Sequence, residues 1–227
     1  MIENKYGDNN MYEPFMDNYV FYPISKLLVD PLRCMGLTPN DITHLSILCT
    51  STAIYLINQG KLNIAIIFYL FGYIFDGIDG VMARKYNMGS LYGMALDPVS
   101  DSLTNLLLFI VLIYRTNIST PQIALLGCLS YLLSVAYGLN EAISNYKKYN
   151  HDNFYLSYKK LFDGHEKLLY KLFLFLMKIS YLSYRALFPK YDQEKINKYL
   201  KYIKEFGPGN FTVFIIVLLY SLKHKSL

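Results

Sequence analysis

The chain has 227 residues, of which 53% are hydrophobic and 17% are charged, and its formal net charge at pH 7 is +5. This balance argues against a soluble domain, because soluble domains carry about 25% charged residues and lack apolar runs of near-spanning length. The basic residues lie beside the apolar runs, so the charge favours an anionic membrane surface as partner over a nucleic acid.

The amino-terminal residues 1–18 are polar and acidic, which predicts a flexible segment ahead of a membrane domain at 19–227. That domain opens with Tyr19–Met35, a stretch interrupted by two prolines whose apolar residues share one helical face. The pattern predicts a juxtamembrane amphipathic helix, either lying at the membrane interface or packed on the rest of the bundle.

Six apolar segments follow, and they predict an all-α integral membrane protein with a bundle of six transmembrane helices. Several are shorter than the roughly 20 residues that a bilayer needs, so their helices must extend into the flanking polar residues. The predicted spans are 42–58, 62–83, 91–114, 123–139, 168–188 and 211–222.

Basic residues in the short loops predict the orientation, because they accumulate on the cytoplasmic side. Arg33, the pair Arg84–Lys85, the pair Lys147–Lys148 and the carboxy-terminal lysines fall on one side of the six-span arrangement, together with both termini. The loop 189–210 carries five lysines yet falls on the other side. Either this loop is an amphipathic stretch on the far surface, or one of the last two spans is misplaced.

Four carboxylates lie where the second and third predicted spans approach each other: Asp76, Asp79, Asp97 and Asp101. At about 100° per residue, the first two share a face of one helix and the last two share a face of the next. The connection between the helices is short, so they are predicted to be antiparallel neighbours whose acidic faces meet at the same depth. Acids inside a membrane are costly, and they therefore indicate a functional site.

Four converging carboxylates cannot all stay ionised unaided, because like charges disfavour one another. Mg²⁺ or Mn²⁺, which prefer oxygen ligands, would resolve the repulsion, and four acids with a single nearby arginine fit two ions better than one. Arg84 suits a bound phosphate group. The pattern predicts a two-metal site that acts on a pyrophosphate-linked substrate.

The spacing of these residues resembles the signature of the CDP-alcohol phosphotransferase family (class I CDP-alcohol phosphatidyltransferases) at every fixed position. The resemblance extends from Thr38 to about Tyr114, and Gly36–Thr43 is similar to the segment that opens the family's first span. Six spans and a juxtamembrane helix are also similar to the family. The signature reads Asp76-x2-Asp79-Gly80-x2-Ala83-Arg84-x8-Gly93-x3-Asp97-x3-Asp101.

The resemblance implies a phospholipid-synthesising transferase. It would move a phosphatidyl or other substituted phosphate group from a CDP-linked donor, expected to be CDP-diacylglycerol, to an alcohol and release CMP near the cytoplasmic face. It also implies a homodimer. The four aspartates would bind metal, and Asp101 would also be the general base. The implied CDP pocket consists of Asp79, Gly80, Ala83, Arg84, Gly93, Asn40 and Thr43.

The acceptor stays open between glycerol 3-phosphate and inositol, named first, and inositol phosphate, serine or an aminoalcohol. Ser102 stands where members acting on glycerol 3-phosphate or inositol phosphate often carry Lys or Arg. The sequence LDPVSD resembles phosphatidylglycerophosphate and cardiolipin synthases, whereas DSL resembles aminoalcohol phosphotransferases, which use CDP-choline or CDP-ethanolamine. A six-span cation transporter is a further alternative, which leaves the spacing of the glycines and Arg84 unexplained.

Overall fold

The computed structural model describes residues 13–115 and 118–225, and the side chains among them up to residue 222. These residues contain α-helices and no β-strand, which confirms the all-α class. A π-helical turn, Asp17–Phe21, leads into the first helix, and a 3₁₀ turn, Lys204–Phe206, precedes the last. The helices are α1 Tyr22–Cys34, α2 Pro39–Asn58, α3 Leu62–Lys85, α4 Leu91–Arg115, α5 Thr120–Tyr149, α6 Phe154–Leu161, α7 Leu168–Leu187, α8 Gln193–Ile203 and α9 Pro208–Lys225.

Side-chain caps explain why two helices begin before the apolar segments do. The Asp41 N–H donates to the Thr38 hydroxyl (3.3 Å) and the Thr38 N–H donates back to the Asp41 carboxylate (2.8 Å), which starts α2 at Pro39. Ser119 forms the same reciprocal cap with Gln122 at the start of α5. Each cap satisfies backbone donors that would otherwise be orphaned at the helix start.

Helix α5 differs most from its prediction, because it runs for 30 residues where the sequence predicted a span of 123–139. The polar residues 140–149, which fall in the connector between the predicted spans 123–139 and 168–188, are its last turns. The helix ends at Asn150, whose φ of 57° is left-handed, a conformation that asparagine tolerates better than most residues.

Helices α1–α4 and α9 form one part of the molecule, which we call the acidic half. Ala53, Ala65, Leu112 and Leu219, from α2, α3, α4 and α9, are fully buried in a shared apolar cluster. Helices α2 and α3 approach so closely that a Cβ at Gly72 would collide with Thr50. This close packing fixes α3, the helix that carries Asp76 and Asp79.

Helices α5–α8 form the other part, which we call the aromatic half. Its core contains Phe154, Tyr184 and Phe188, all of which are buried, with Leu139 of α5 and Ile196 of α8. A further cluster joins it to α4, where Ala95 and Val99 pack against α6 and α7. The aromatic half therefore supports the acidic half through the first turns of α4.

Four described helical segments have the length and hydropathy of membrane spans: α3, α4, α5 and the stretch Gln193–Leu222, which contains α8 and most of α9. Helices α2 and α7, at 20 residues each, do not combine such length with such hydropathy. The structure therefore supports a membrane protein with several apolar helices, and the six-span count stays a prediction.

The amino-terminal helix α1 packs on α3, where Val29 is buried with Ile78 and Met82. Its opposite side carries Leu27, which is 75% exposed, so contact with a membrane surface stays a prediction. Residues 1–12 of the predicted flexible segment lie outside the described residues. Residues 13–18 contact the bundle, where Asp17 is 3% exposed, and the flexibility of the segment stays a prediction.

The lysine-rich loop contains α8, an amphipathic helix. Its apolar residues Ile196 and Leu200 are fully buried, and its lysines Lys195, Lys198 and Lys201 are exposed. An amphipathic helix is what the first of the two alternatives for the loop requires, but α7 does not qualify as a span by hydropathy, so the choice between the alternatives stays a prediction. The side of the membrane on which α8 lies stays a prediction.

Candidate active site

A tight connection between α3 and α4 brings the acidic faces together. The chain turns through Asn87, which has a left-handed φ of 52°. The first turn of α4 is then closed by the Gly93 N–H, which donates to the Ser90 hydroxyl (2.9 Å). Since the connection is short, residues equally distant from it on the two helices face each other. One carboxylate oxygen from each of Asp76, Asp97 and Asp101 lies within 4.8 Å of the others.

The three carboxylates of this acidic cluster differ in exposure. Asp76 and Asp97 are half-buried, whereas Asp101 is exposed. A group that exchanges a proton with an incoming molecule must be reachable, and Asp101 meets that requirement best. The two half-buried members are better shielded, as suits groups that hold an ion.

Asp79 lies outside this group of three and is held by α2. It is buried, and the Thr43 hydroxyl, which also lies 3.1 Å from the Pro39 carbonyl oxygen, donates to its carboxylate at 2.5 Å. The structure thus joins two of the predicted site residues, Asp79 and Thr43, by a short charge-assisted hydrogen bond. It does not place Asp79 within reach of the same point as the other three aspartates.

Arg84 lies over the backbone of α3, where its side chain folds back toward the acids. A Cβ at Gly80 would stand 3.2 Å from its Nη1, so the glycine leaves room for the guanidinium group. Arg84 is exposed and forms no ion pair with the carboxylates of the described residues. Ala83, the residue before it, is half-buried.

Lys85, the basic residue next to Arg84, has an acidic partner. Lys85 pairs with Asp30 of α1, which also accepts a hydrogen bond from the Tyr86 hydroxyl (2.7 Å). Both hydrogen bonds lower the pKa of the Asp30 carboxyl, and the bond from Lys85 has the larger effect. Lys85 therefore ties α1 to α3, whereas Arg84 remains available for an anionic ligand.

Gly93 and Asn40 meet at the same end of the site, near the α3–α4 connection. A Cβ at Gly93 would lie 2.7 Å from Asn40 Oδ1, and the Ser90 hydroxyl lies 3.4 Å from that oxygen. With Arg84 and Gly80 they form a region that we call the hairpin end of the site. It combines an open guanidinium group with backbone that a ligand can approach closely.

The hydroxyl of the residue after Asp101 is hydrogen-bonded within its own helix. Ser102 is exposed, and its hydroxyl donates to the Pro98 carbonyl of its own helix (2.8 Å). A serine hydroxyl that is satisfied within its helix offers little to a phosphate group.

Sequence reasoning missed several polar residues on the other side of the cluster. The Tyr73 hydroxyl donates to Asp17 (2.6 Å), and Tyr69, one helical turn before Tyr73, is buried. The missed signal was the spacing, because Tyr69 and Tyr73 precede Asp76 by seven and three residues and so share its helical face.

The donor set fits a hard divalent cation. The cluster offers only carboxylate oxygens, which Mg²⁺ and Mn²⁺ prefer. Among the described residues, no lysine, arginine or histidine forms an ion pair with Asp76, Asp79 or Asp101. A bound cation would therefore neutralise carboxylate charge that no described basic residue neutralises.

Curated relatives cover part of the chain. The phosphatidylinositol phosphate synthase of Mycobacterium tuberculosis is 31% identical over 93 residues, 40% of this chain and 43% of its own. CDP-diacylglycerol–inositol 3-phosphatidyltransferase 1 of Arabidopsis thaliana is 28% identical over 101 residues, 43% of each chain. CDP-diacylglycerol–glycerol-3-phosphate 3-phosphatidyltransferase of Rickettsia felis is 28% identical over 92 residues, 40% of this chain and 49% of its own. The chain thus aligns with less than half the length of each.

No solved structure matches the chain significantly. The sequence model of the CDP-alcohol phosphatidyltransferase family matches residues 36–185, which is more than half of the chain. The matched region includes the acidic cluster, the hairpin end and, from the aromatic half, α5, α6 and most of α7. The chain therefore belongs to the CDP-alcohol phosphatidyltransferase family.

Proposed function

We propose that this protein transfers a phosphatidyl group from CDP-diacylglycerol to an alcohol and releases CMP. The observation that carries the proposal is the meeting of Asp76, Asp97 and Asp101 between two helices of membrane length, beside an arginine that forms no ion pair. The names of the Arabidopsis and Rickettsia relatives support CDP-diacylglycerol as the donor.

The CDP group of the donor would occupy the hairpin end. Arg84 supplies an open guanidinium group for a phosphate, and Gly80 and Gly93 remove the side chains that would block its approach. Asn40 and Thr43 border the same region from α2, and Thr43 is hydrogen-bonded there to Asp79 of α3. The acyl chains would enter between helices from the surrounding lipid.

The metal ions would be held by the four aspartates, with two Mg²⁺ or Mn²⁺ ions as the proposed number. When bound, they would neutralise charge on the pyrophosphate and on the attacking and leaving oxygens. Asp79 differs from the other proposed ligands because Thr43 of α2 orients its carboxylate, so Asp79 would bind an ion on the side of the site nearest α2. Among the described residues, no basic side chain forms an ion pair with Asp76, Asp79 or Asp101 and so takes the place of these ions.

The proposed reaction uses Asp101 as general base. The Asp101 carboxylate takes the proton of the acceptor hydroxyl while the oxygen of that hydroxyl forms a bond to the β-phosphorus of the donor. The bond between that phosphorus and the bridging oxygen breaks, and CMP leaves with the electron pair. The exposure of Asp101 supports this role, because the acceptor is a water-soluble molecule that must reach it.

The proposal extends to location and acceptor. The protein would span the membrane several times with the site near the cytoplasmic face, the side assigned from Arg33, Arg84 and Lys85. Glycerol 3-phosphate and inositol are the acceptors proposed first, and relatives named for both support them. A homodimer is proposed from the family resemblance alone.

The test is an assay of CMP release by the purified full-length protein in detergent. CDP-diacylglycerol is offered with glycerol 3-phosphate, inositol, inositol phosphate, serine, choline or ethanolamine, with Mg²⁺, Mn²⁺ or a chelator. We expect metal-dependent CMP and a new phospholipid with one of the first three acceptors. CDP-choline and CDP-ethanolamine are offered as donors with diacylglycerol in a second set, and CMP from these donors alone would favour an aminoalcohol phosphotransferase. Metal-dependent ion flux in liposomes without CMP would favour a transporter and overturn the proposal.

A further inference from the structure

The amino-terminal segment Glu13–Phe21 is locked to the start of α9 and to the middle of α3. Asp17 accepts hydrogen bonds from the Tyr73 hydroxyl (2.6 Å) and from the Gly209 N–H (3.0 Å). It is 3% exposed, and a Cβ at Gly209 would lie 2.5 Å from its Oδ1. Its charge thus lies at the amino end of α9, which favours a negative group.

Further hydrogen bonds join the same two parts of the chain. The Met16 N–H donates to Asn210 Oδ1 and the Phe15 N–H donates to Glu205 Oε2, both at 3.1 Å. The Asn210 side chain in turn donates to Glu205 Oε2 (2.8 Å). Residues about 190 positions apart in the sequence are therefore held in one network, which we call the clasp.

The clasp lies on the side of the acidic cluster opposite the hairpin end. Tyr73 is one helical turn from Asp76, in the direction away from Arg84. One turn further, Tyr69 is buried in the apolar cluster that also contains Phe211 and Ile215 of α9. The hydrogen bonds through Asp17 and this cluster thus join the first turns of α9 to α3, one to two turns from Asp76, whose carboxylate lies within 4.8 Å of that of Asp101.

We propose that Asp17 is a positioning residue for the acceptor alcohol. Acting through Tyr73 and the Gly209 amide, it holds the first turn of α9 against α3, and this turn forms the wall of the space that the acceptor occupies next to Asp101. The donor's CDP group, at the hairpin end, does not contact this wall. The inference rests on the proposed transferase function and adds to it the residues that place the second substrate.

The test compares Asp17→Asn and Tyr73→Phe with Tyr158→Phe in the full-length protein. The control fits because the Tyr158 hydroxyl also donates to a buried carboxylate, Glu141 (2.7 Å), but within the aromatic half. Initial rates are measured against CDP-diacylglycerol and against inositol or glycerol 3-phosphate, whichever the wild type uses. Hydrogen exchange at the first turn of α9 is followed in parallel.

We expect the acceptor KM to rise roughly 10-fold or more in Asp17→Asn and Tyr73→Phe, the effect of losing a charge-assisted hydrogen bond. The donor KM should stay within about twofold. The double variant should be no worse than the more impaired single variant, because both changes break one contact. Tyr158→Phe should leave both KM values unchanged.

Equal changes in both KM values, unchanged acceptor KM, or the same pattern in Tyr158→Phe would overturn the inference. The exchange measurement separates this outcome from failure of the proposed function. If the wild type releases no CMP with any alcohol, the proposed function fails. Faster hydrogen exchange of the Gly209 amide in Asp17→Asn would still show that Asp17 holds the start of α9. Unchanged exchange would show that it does not.

Discussion

The acidic half and the aromatic half are both built from apolar helices, but the carboxylates of the acidic cluster differ from those of the aromatic half in the partners they have. In the aromatic half, Asp152 pairs with Arg185 (2.6 Å) and Glu141 accepts from Tyr158 (2.7 Å). In the acidic half, Asp76 and Asp101 form no ion pair with the described basic residues. Compensated charges fix packing, whereas uncompensated charges at one point indicate a bound ion and chemistry.

The same contrast appears in the glycines. Gly80 and Gly93 leave space that Arg84 and Asn40 border, at a surface that a ligand can reach. Gly138, in α5, lets α7 approach its backbone, because a Cβ there would lie 2.6 Å from the Ser180 carbonyl oxygen. The first two therefore serve the site and the third serves helix packing.

The largest effect is expected for Asp76→Asn, which removes a proposed metal ligand. We predict that turnover falls by roughly a thousandfold or more, because a bound ion supplies several kcal/mol of transition-state stabilisation. CMP release at saturating metal measures it. Glu141→Gln is the matched control in the aromatic half and should keep near wild-type turnover. Equal losses in the two variants would show that the halves do not differ in function.

The next effect concerns the two arginines. Arg84→Gln should raise the KM for CDP-diacylglycerol by roughly 10- to 100-fold, the value of a hydrogen-bonded charge on a phosphate. Arg185→Gln breaks the pair with Asp152 and should lower thermal stability while leaving that KM unchanged. Initial rates and melting curves distinguish the two. A donor KM that responds to Arg185 and not to Arg84 would contradict the assignment of the CDP site.

A smaller effect is expected from Gly93→Ala. The added methyl group would lie 2.7 Å from Asn40 Oδ1, so the Asn40 side chain must move away from the hairpin end, and the donor KM should rise roughly 10-fold. Gly127→Ala in α5 is the control, because its Cβ meets no atom within 4 Å. The control should be neutral or slightly more stable. Identical kinetics for both variants would show that the hairpin end does not hold the donor.

The smallest effect on turnover is expected from Gly138→Ala. Its Cβ would also lie 2.9 Å from the Tyr184 Cβ, so overpacking should cost about 1–3 kcal/mol of stability. The folded fraction should nevertheless release CMP at the wild-type rate per molecule. Thermal melting combined with active-site titration tests this. Lost turnover at full stability would mean that the aromatic half contributes directly to the chemistry.

Sequence patterns located the helices of the acidic half closely. The prediction placed spans at 62–83 and 91–114, and α3 and α4 end at most two residues beyond them. These helices are apolar until a short connection, so hydropathy and helix coincide. Hydropathy was a poorer guide in the aromatic half, because the last turns of α5 and all of α6 lie in polar residues predicted as a connector.

The candidate site also has a part that the sequence predicts and a part that it does not predict. The meeting of the two acidic faces follows from helical periodicity and a short connection, which are local properties. The contact of Asp17 with Tyr73 and Gly209 joins positions 56 and 192 residues apart, and no periodicity encodes it. The segment around Asp17 was predicted to be flexible because composition reports polarity and not the partner that satisfies it.

The central claim is that Asp101 takes the acceptor's proton at a metal site shared with Asp76 and Asp97, and a single-turnover assay of Asp101→Asn tests it most directly. Asparagine keeps the shape of the side chain but cannot act as a base. With bound CDP-diacylglycerol and saturating metal and acceptor, we predict that CMP forms roughly 10²- to 10⁴-fold more slowly while the donor still binds. CMP formation at the wild-type rate would contradict the account.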